Sequence, residues 1–161
     1  MKRIGVVTIC VLLAAWLGAA PALAQPRAGG VLRVALRAEV STFDPHKGAS
    51  GTDHMYLYPV FDTLVRFDDK LQPRPGLAES WDTPDPKTLI LRLRKNVKFH
   101  DGTPFNAEAV RFNLLRAQDK TVSSMVSELS NIDAVEVVDA FTVRLRLKRP
   151  DASLVLAFTD R

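Results

Sequence analysis

Apolar and polar residues change their period several times along this chain, and each change predicts a different element. Val31-Leu32-Arg33-Val34-Ala35-Leu36-Arg37 is rich in residues that suit a strand and predicts the first one. Ser41 to Asp53, with Pro45, Gly48 and Gly51, has no apolar period and predicts a loop. Met55, Leu57 or Tyr58, Phe61, Leu64 and Val65 then fall at helical spacing. They predict a helix over Met55 to Val65, kinked or begun at Pro59.

Further on the period becomes two. Leu89, Leu91 and Leu93 alternate with Ile90, Arg92 and Arg94, and after Lys95-Asn96 the alternation resumes at Val97 and Phe99. This predicts two half-buried strands or one bent strand. His100-Asp101-Gly102-Thr103-Pro104 stops it, because Gly admits positive φ and Pro withdraws a ladder donor. A helix from about Ala107 to Gln118 follows, with Asn106 at the N-cap, Glu108 in the first turn, and Val110, Leu114 and Ala117 on one face that Phe112 and Leu115 widen. The reciprocal carboxylate of a capping box would stand at Ala109, so the cap is half made. Val135 and Val137, then Val143, Leu145 and Leu147, predict a β-hairpin through Val138 to Phe141 that ends at Pro150. Leu154, Val155, Leu156 and Phe158 begin another apolar element with no later partner to cover them, and the Val31 strand has no crossover to a parallel neighbour. The pattern predicts an α/β lobe whose remainder is not in this chain.

The first two dozen residues depart from these periods altogether. Lys2 and Arg3 form a positive head, Ile4 to Ala20 carries no charge, and Ala22-Leu23-Ala24 supplies the small residues of a signal-peptidase site. This predicts a signal peptide over residues 1–24, cleaved after Ala24, with an uncleaved anchor as the alternative. Gly5, Gly18 and Pro21 leave the apolar run short and poorly flanked for a permanent span. Cys10, the only cysteine, lies inside the run and not at its end, so it is not placed as a lipidated cysteine. Export without a remaining thiol suits the bacterial periplasm. Residues 25–30 read as a flexible leader.

A chain that is 47% apolar and 25% charged is ordinary globular material, which excludes a disordered or fibrous protein. The net charge of +4 comes from basic residues spread along the chain, not from blocks, and this makes a nucleic-acid groove a weak reading.

A resemblance then emerges from an ordered series of motifs. Gly29-Gly30-Val31-Leu32-Arg33-Val34-Ala35, Ser41-Thr42-Phe43-Asp44-Pro45-His46, Leu77-Ala78-Glu79-Ser80-Trp81 and, above all, the run from Leu91 through His100-Asp101-Gly102-Thr103-Pro104-Phe105 to Val110 resemble family 5 extracellular solute-binding proteins. These include the oligopeptide-, dipeptide-, glutathione- and nickel-binding components of ABC importers. The family commonly has an acidic residue where Ala109 stands and Leu where Phe43 stands. Its members are several hundred residues long, with two α/β lobes that close on ligand. The resemblance therefore implies a periplasmic-binding-protein type II-like fold, with residues 31–161 as the N-terminal part of lobe I and its accessory β-hairpin and helix subdomain.

The resemblance also implies a function: capture of peptides or similar small solutes in the periplasm and delivery to an ABC permease in the inner membrane, by a monomer with no cofactor and no nucleic-acid partner. The matching positions for ligand contact are Ala38, Glu39, Val40, Ser41 and Thr42, where exposed strand-like backbone can pair with an extended peptide. Glu39 either meets a ligand cation or is a solvated carboxylate. Lacking the second lobe, the chain is expected to bind no ligand by itself.

Other residues favour structural roles. His46, His54 and His100 have no metal-ligand spacing. His100-Asp101 fixes a corner and is not a catalytic pair, and Asp44-Pro45-His46 does the same at the loop. Trp81 reads as core before ligand platform, whereas Tyr56 and Tyr58 line a cleft or pack a helix. The rival function is an exported hydrolase, but no Gly-x-Ser-x-Gly, Walker loop or His-Glu-x-x-His is present. A sensory or chaperone binding protein is the third reading.

Overall fold

The computed structural model describes residues 29–48 and 50–159. The export-signal expectation and most of the leader lie outside them. The chain divides into a unit of Met1–Ala35 and a unit of Leu36–Arg161.

In the first unit, residues 31–35 adopt no regular structure, and Val31 and Leu32 are 86% and 87% exposed. The strand expected over Val31–Arg37 is not formed. Strand-favouring side chains cannot make a strand without a partner ladder, and none pairs with this segment among the described residues.

In the second unit the apolar alternation is realised as an antiparallel four-stranded sheet. β3 (Ala78–Asp85), β4 (Thr88–Leu93), β5 (Ile132–Asp139) and β6 (Thr142–Leu147) run in the order β3-β4-β6-β5. Leu89 lies opposite Leu145 and Leu91 opposite Val143, while Val135 and Val137 lie opposite Leu145 and Val143 from the other side. One face of the sheet is thus aliphatic and buried. The opposite face carries Arg92, Arg144, Arg146 and Glu136, the last paired with Arg144 at 3.2 Å and Arg146 at 3.5 Å.

α2 (Ala107–Ala117) covers the aliphatic face with Ala107, Val110, Leu114 and Ala117, all buried. Each fully buried leucine in this layer contributes about 1.5–3 kcal/mol. The helix starts where expected: Asn106 Oδ1 accepts the Ala109 N–H at 3.0 Å. Phe112 and Leu115, expected to widen the buried face, are 67% and 46% exposed. The helix offers the sheet a narrower stripe, so these two fall outside it.

The corner before α2 is built as its composition requires. Asn96 and Gly102 have φ of 61° and 86°, Lys98 bridges to Pro104, and Asp101 Oδ1 accepts both N–H and Oγ–H of Thr103. The continuation expected at Val97–Phe99, as a second strand or as the bent end of the first, is reduced to that single bridge.

Upstream, the helix predicted over Met55–Val65 is displaced. α1 spans Gly51–Leu57, so it begins inside the expected loop and ends before Pro59. A capping box between Ser50 and Asp53 sets its start. β1 (Val65–Phe67) and β2 (Pro73–Pro75) then form a separate two-stranded antiparallel sheet. The following connector is stitched to the segment before β1: Leu77 N–H donates to the Thr63 carbonyl at 2.9 Å and Ala78 N–H to that of Leu64 at 2.8 Å. A Cβ on Gly76 would stand 2.5 Å from the Thr63 carbonyl oxygen, so only glycine allows this approach.

The terminal apolar element is a single turn, α3 (Leu154–Ala157). Its residues were expected to lack cover, yet Leu154 and Phe158 are buried, and the Phe158 carbonyl accepts the Val65 N–H at 3.1 Å. Their partners lie upstream in sequence, in the hairpin and core already formed. Leu156 remains exposed.

Candidate functional site

Segment 38–42 has no regular structure and lies against α1. Two α1 side chains hold it. Tyr56 Oη donates to the Ala38 carbonyl at 3.0 Å, and Asp53 Oδ1 accepts the N–H and the Oγ–H of Ser41 at 2.8 and 2.9 Å. Thr42 Oγ1 accepts the Asp44 N–H at 3.0 Å. Glu39 is exposed and Val40 half-buried. Between the Ala38 and Ser41 anchors, the backbone groups of Glu39 and Val40 have no hydrogen-bond partner among the described residues. The structure therefore brings the five expected residues into one stretch, with its ends held and its middle open.

The other oxygen of Asp53 serves the far side of the loop. Oδ2 accepts the Ser50 Oγ–H at 2.7 Å and the Ser50 N–H at 3.3 Å, while the Asp53 N–H returns to Ser50 Oγ at 3.0 Å. Side-chain hydrogen bonding from Ser50, then the backbone N–H of Ser41, holds the Asp53 carboxyl down to about 2. Four donors converge on a buried anion that has no cation beside it among the described residues.

A second carboxylate fixes the middle of the loop. Arg116, at the end of α2, grips Asp44 with both terminal nitrogens at 2.6 and 2.9 Å. Hydrogen bonding to that guanidinium, more than any other cause, holds the Asp44 carboxyl down to about 2. The same guanidinium meets His46 Nδ1 at 2.5 Å. A guanidinium only donates, so Nδ1 is the acceptor and the imidazole is neutral, with its proton on Nε2. Burial, followed by the Arg116 charge, keeps the imidazole pKa below its ordinary value. Ser124 N–H completes the attachment by donating to the His46 carbonyl at 2.9 Å.

The Asp44-Pro45-His46 turn thus has the structural role expected of it, and the sequence reading missed its partner Arg116, seventy-two positions from Asp44. Asp53 was also missed, although Ser50-x-x-Asp53 is a readable cap pattern. Trp81 is half-buried against the core opposite Leu91, in line with the core reading. The Tyr56 ring stands edge-on to Phe43 at 6.4 Å. Tyr58 is exposed and stands against His54 at 5.9 Å. His100 sits on the corner. Among the described residues, no three His, Cys, Asp or Glu groups come together to hold a metal ion. An apolar cavity of about 180 Å³ lies between α1 and α2, lined by residues such as Leu57, Phe61, Leu114, Met125 and Phe158. Its walls suit hydrocarbon and offer little to a peptide backbone.

Residues 72–160 match the family model described as bacterial extracellular solute-binding proteins, family 5 Middle. The chain belongs to this family. Among relatives of this family 5 protein, the glutathione-binding protein GsiB of Escherichia coli is 32% identical over 76% of this chain and 24% of its own length. A Brucella ovis protein described as a peptide-binding protein of an ABC transporter is 34% identical over 88% of this chain and 27% of its own. Haemophilus influenzae OppA, solved in complex with the peptide RPPGFSPFR, superposes with a TM-score of 0.71 at 30% identity, over 76% of this chain and 28% of that one. The murein tripeptide-binding protein MppA gives 0.71 at 26% identity, over 77% and 28%. The fold is that of part of a periplasmic-binding-protein type II-like lobe, and the family 5 chain spans about a quarter of the length of these relatives.

Proposed function

We propose that this family 5 chain contributes part of the first lobe of an ABC importer's solute-binding protein, which captures peptides or similar small solutes and passes them to a membrane permease. The carrying observation is the stretch 38–42. It is anchored at Ala38 and Ser41 and leaves the backbone groups of Glu39 and Val40 without a partner among the described residues, which is what pairing with a ligand main chain requires. The relatives named for glutathione and peptide binding support a ligand with amide bonds. They also favour binding over turnover. On this reading residues 1–24 direct export to the periplasm, residues 25–30 form a leader, and the protein works as a monomer.

A chimera tests the reading. Residues 31–159 replace the aligned segment of E. coli GsiB, and glutathione is titrated by calorimetry. The chimera should bind within about 100-fold of its parent, while the present chain alone, offering one side of a two-lobed clamp, should bind more weakly than about 1 mM. A chimera that melts cooperatively and takes up no glutathione overturns the proposal.

A further inference from the structure

The loop between Ser41 and Ser50 begins and ends on one side chain. Ser41 donates to Asp53 Oδ1 through N–H and hydroxyl, and Ser50 donates to Oδ2 through the same two groups. A carboxylate has about four acceptor sites in one plane, so all of them are used. The two backbone donors also fix the direction of the peptide units that carry them. Nine residues further along the chain from Ser41, the returning strand of the loop is thereby set against its start.

Tyr56 lies three residues beyond Asp53 in α1, on the neighbouring turn position, and its hydroxyl reaches the Ala38 carbonyl. The two contacts bracket Glu39 and Val40 from either side. Neither consumes a backbone group of those two residues. The bracket thus holds the stretch without occupying what a ligand would use.

We propose that Asp53 and Tyr56 are positioning residues for ligand capture: α1 serves as a rigid rail that aims the peptide groups of Glu39 and Val40 at an incoming main chain. The inference rests on the reading of 38–42 as the ligand-facing stretch. Holding these groups in place before binding removes ordering entropy from the binding step, so losing the anchors weakens affinity even though neither side chain touches ligand.

The test uses the full chain, labelled with nitrogen-15, and tri-alanine as a plain peptide backbone at tens of millimolar. In Asp53→Asn, which keeps the shape but replaces two acceptors with donors, the Ser41 amide should exchange about tenfold faster, as for a lost hydrogen bond of about 1–1.5 kcal/mol. Amides of β4 and β6 should stay within about twofold of wild type, and the shifts of Glu39 and Val40 should require about fivefold more tri-alanine. Tyr56→Phe removes one hydroxyl and should weaken the response by about threefold. It decides the matter alone should Asp53→Asn lose protection throughout β4 and β6. A wild-type response at 39–40 that both variants leave unchanged overturns the positioning role and spares the ligand reading. No wild-type response at 38–42 overturns the positioning role, because α1 then aims no peptide group at ligand in advance of the second lobe, while the GsiB chimera decides the ligand reading separately.

Discussion

The α2-covered sheet and the segment from Ala38 to Leu57 are held by opposite means. In the first, Leu89, Leu91, Val143 and Leu145 meet in register beneath Val110 and Leu114, and no polar side chain is needed at the contact. In the second, Asp44 and Asp53 gather nearby donors, and apolar contacts are fewer: Leu57 is buried and Phe43 stands edge-on to Tyr56. Apolar layers tolerate small shifts, because dispersion is non-directional; a carboxylate with four donors tolerates few. The contrast separates the part of the lobe that must be stable from the part whose geometry must be fixed.

The largest expected effect that exposes this contrast comes from the sheet. Leu91→Ala removes a fully buried side chain at the centre of β4 and should cost about 2–5 kcal/mol in a denaturant titration. The loss should fall on the whole second unit, since Leu91 faces Val143 and Trp81 across both neighbouring strands. A cost below about 1 kcal/mol would place the stabilising core elsewhere.

Acid distinguishes the second region, with a smaller effect. Asp44 and Asp53 have folded pKa values of about 2, below the ordinary carboxylate value of 3.8. A depressed folded pKa means that the stabilisation is complete above the unfolded value and is lost as the pH falls through the folded one. Stability should therefore decline between about pH 4 and pH 2. The decline should be shallower in Asp53→Asn, and amide exchange should show residues 38–53 opening before β4 and β6. An unchanged slope in that variant would remove Asp53 from the acid response.

The smallest effect is expected on α2. Phe112→Ala, at an exposed position, should change stability by about 0.5 kcal/mol or less, a value that would be improbable for a core phenylalanine. Matched thermal melts of the two chains measure it.

The same contrast explains what could be read in advance. Leu89 to Leu93, Val135 to Leu147 and the Asn106-capped helix were legible because their apolar periods are local. The family was legible through the run from Leu91 to Val110. α1 was placed too late, since its start is marked by a polar exchange between Ser50 and Asp53 and not by apolar spacing. The burial of Phe158 depends on Val65, and the fixing of Asp44 on Arg116, partners far apart in sequence that no local period announces. Val31 to Arg37 has the composition of a strand but no ladder, which only a structure can reveal. The site residues Ala38 to Thr42 follow from the family resemblance, and nothing in their own letters names Asp53 or Tyr56 as what holds them.

Gly76 carries one last implication, for how this lobe can vary. Its α-hydrogen faces the Thr63 and Leu64 carbonyl oxygens at a distance where a methyl group would have no room. In a saturation-mutagenesis library, codon 76 should thus be depleted as severely as the leucine codons of the sheet, and for alanine no less than for tryptophan. An inventory of side-chain contacts would pass over the position entirely, because what is preserved there is an empty space.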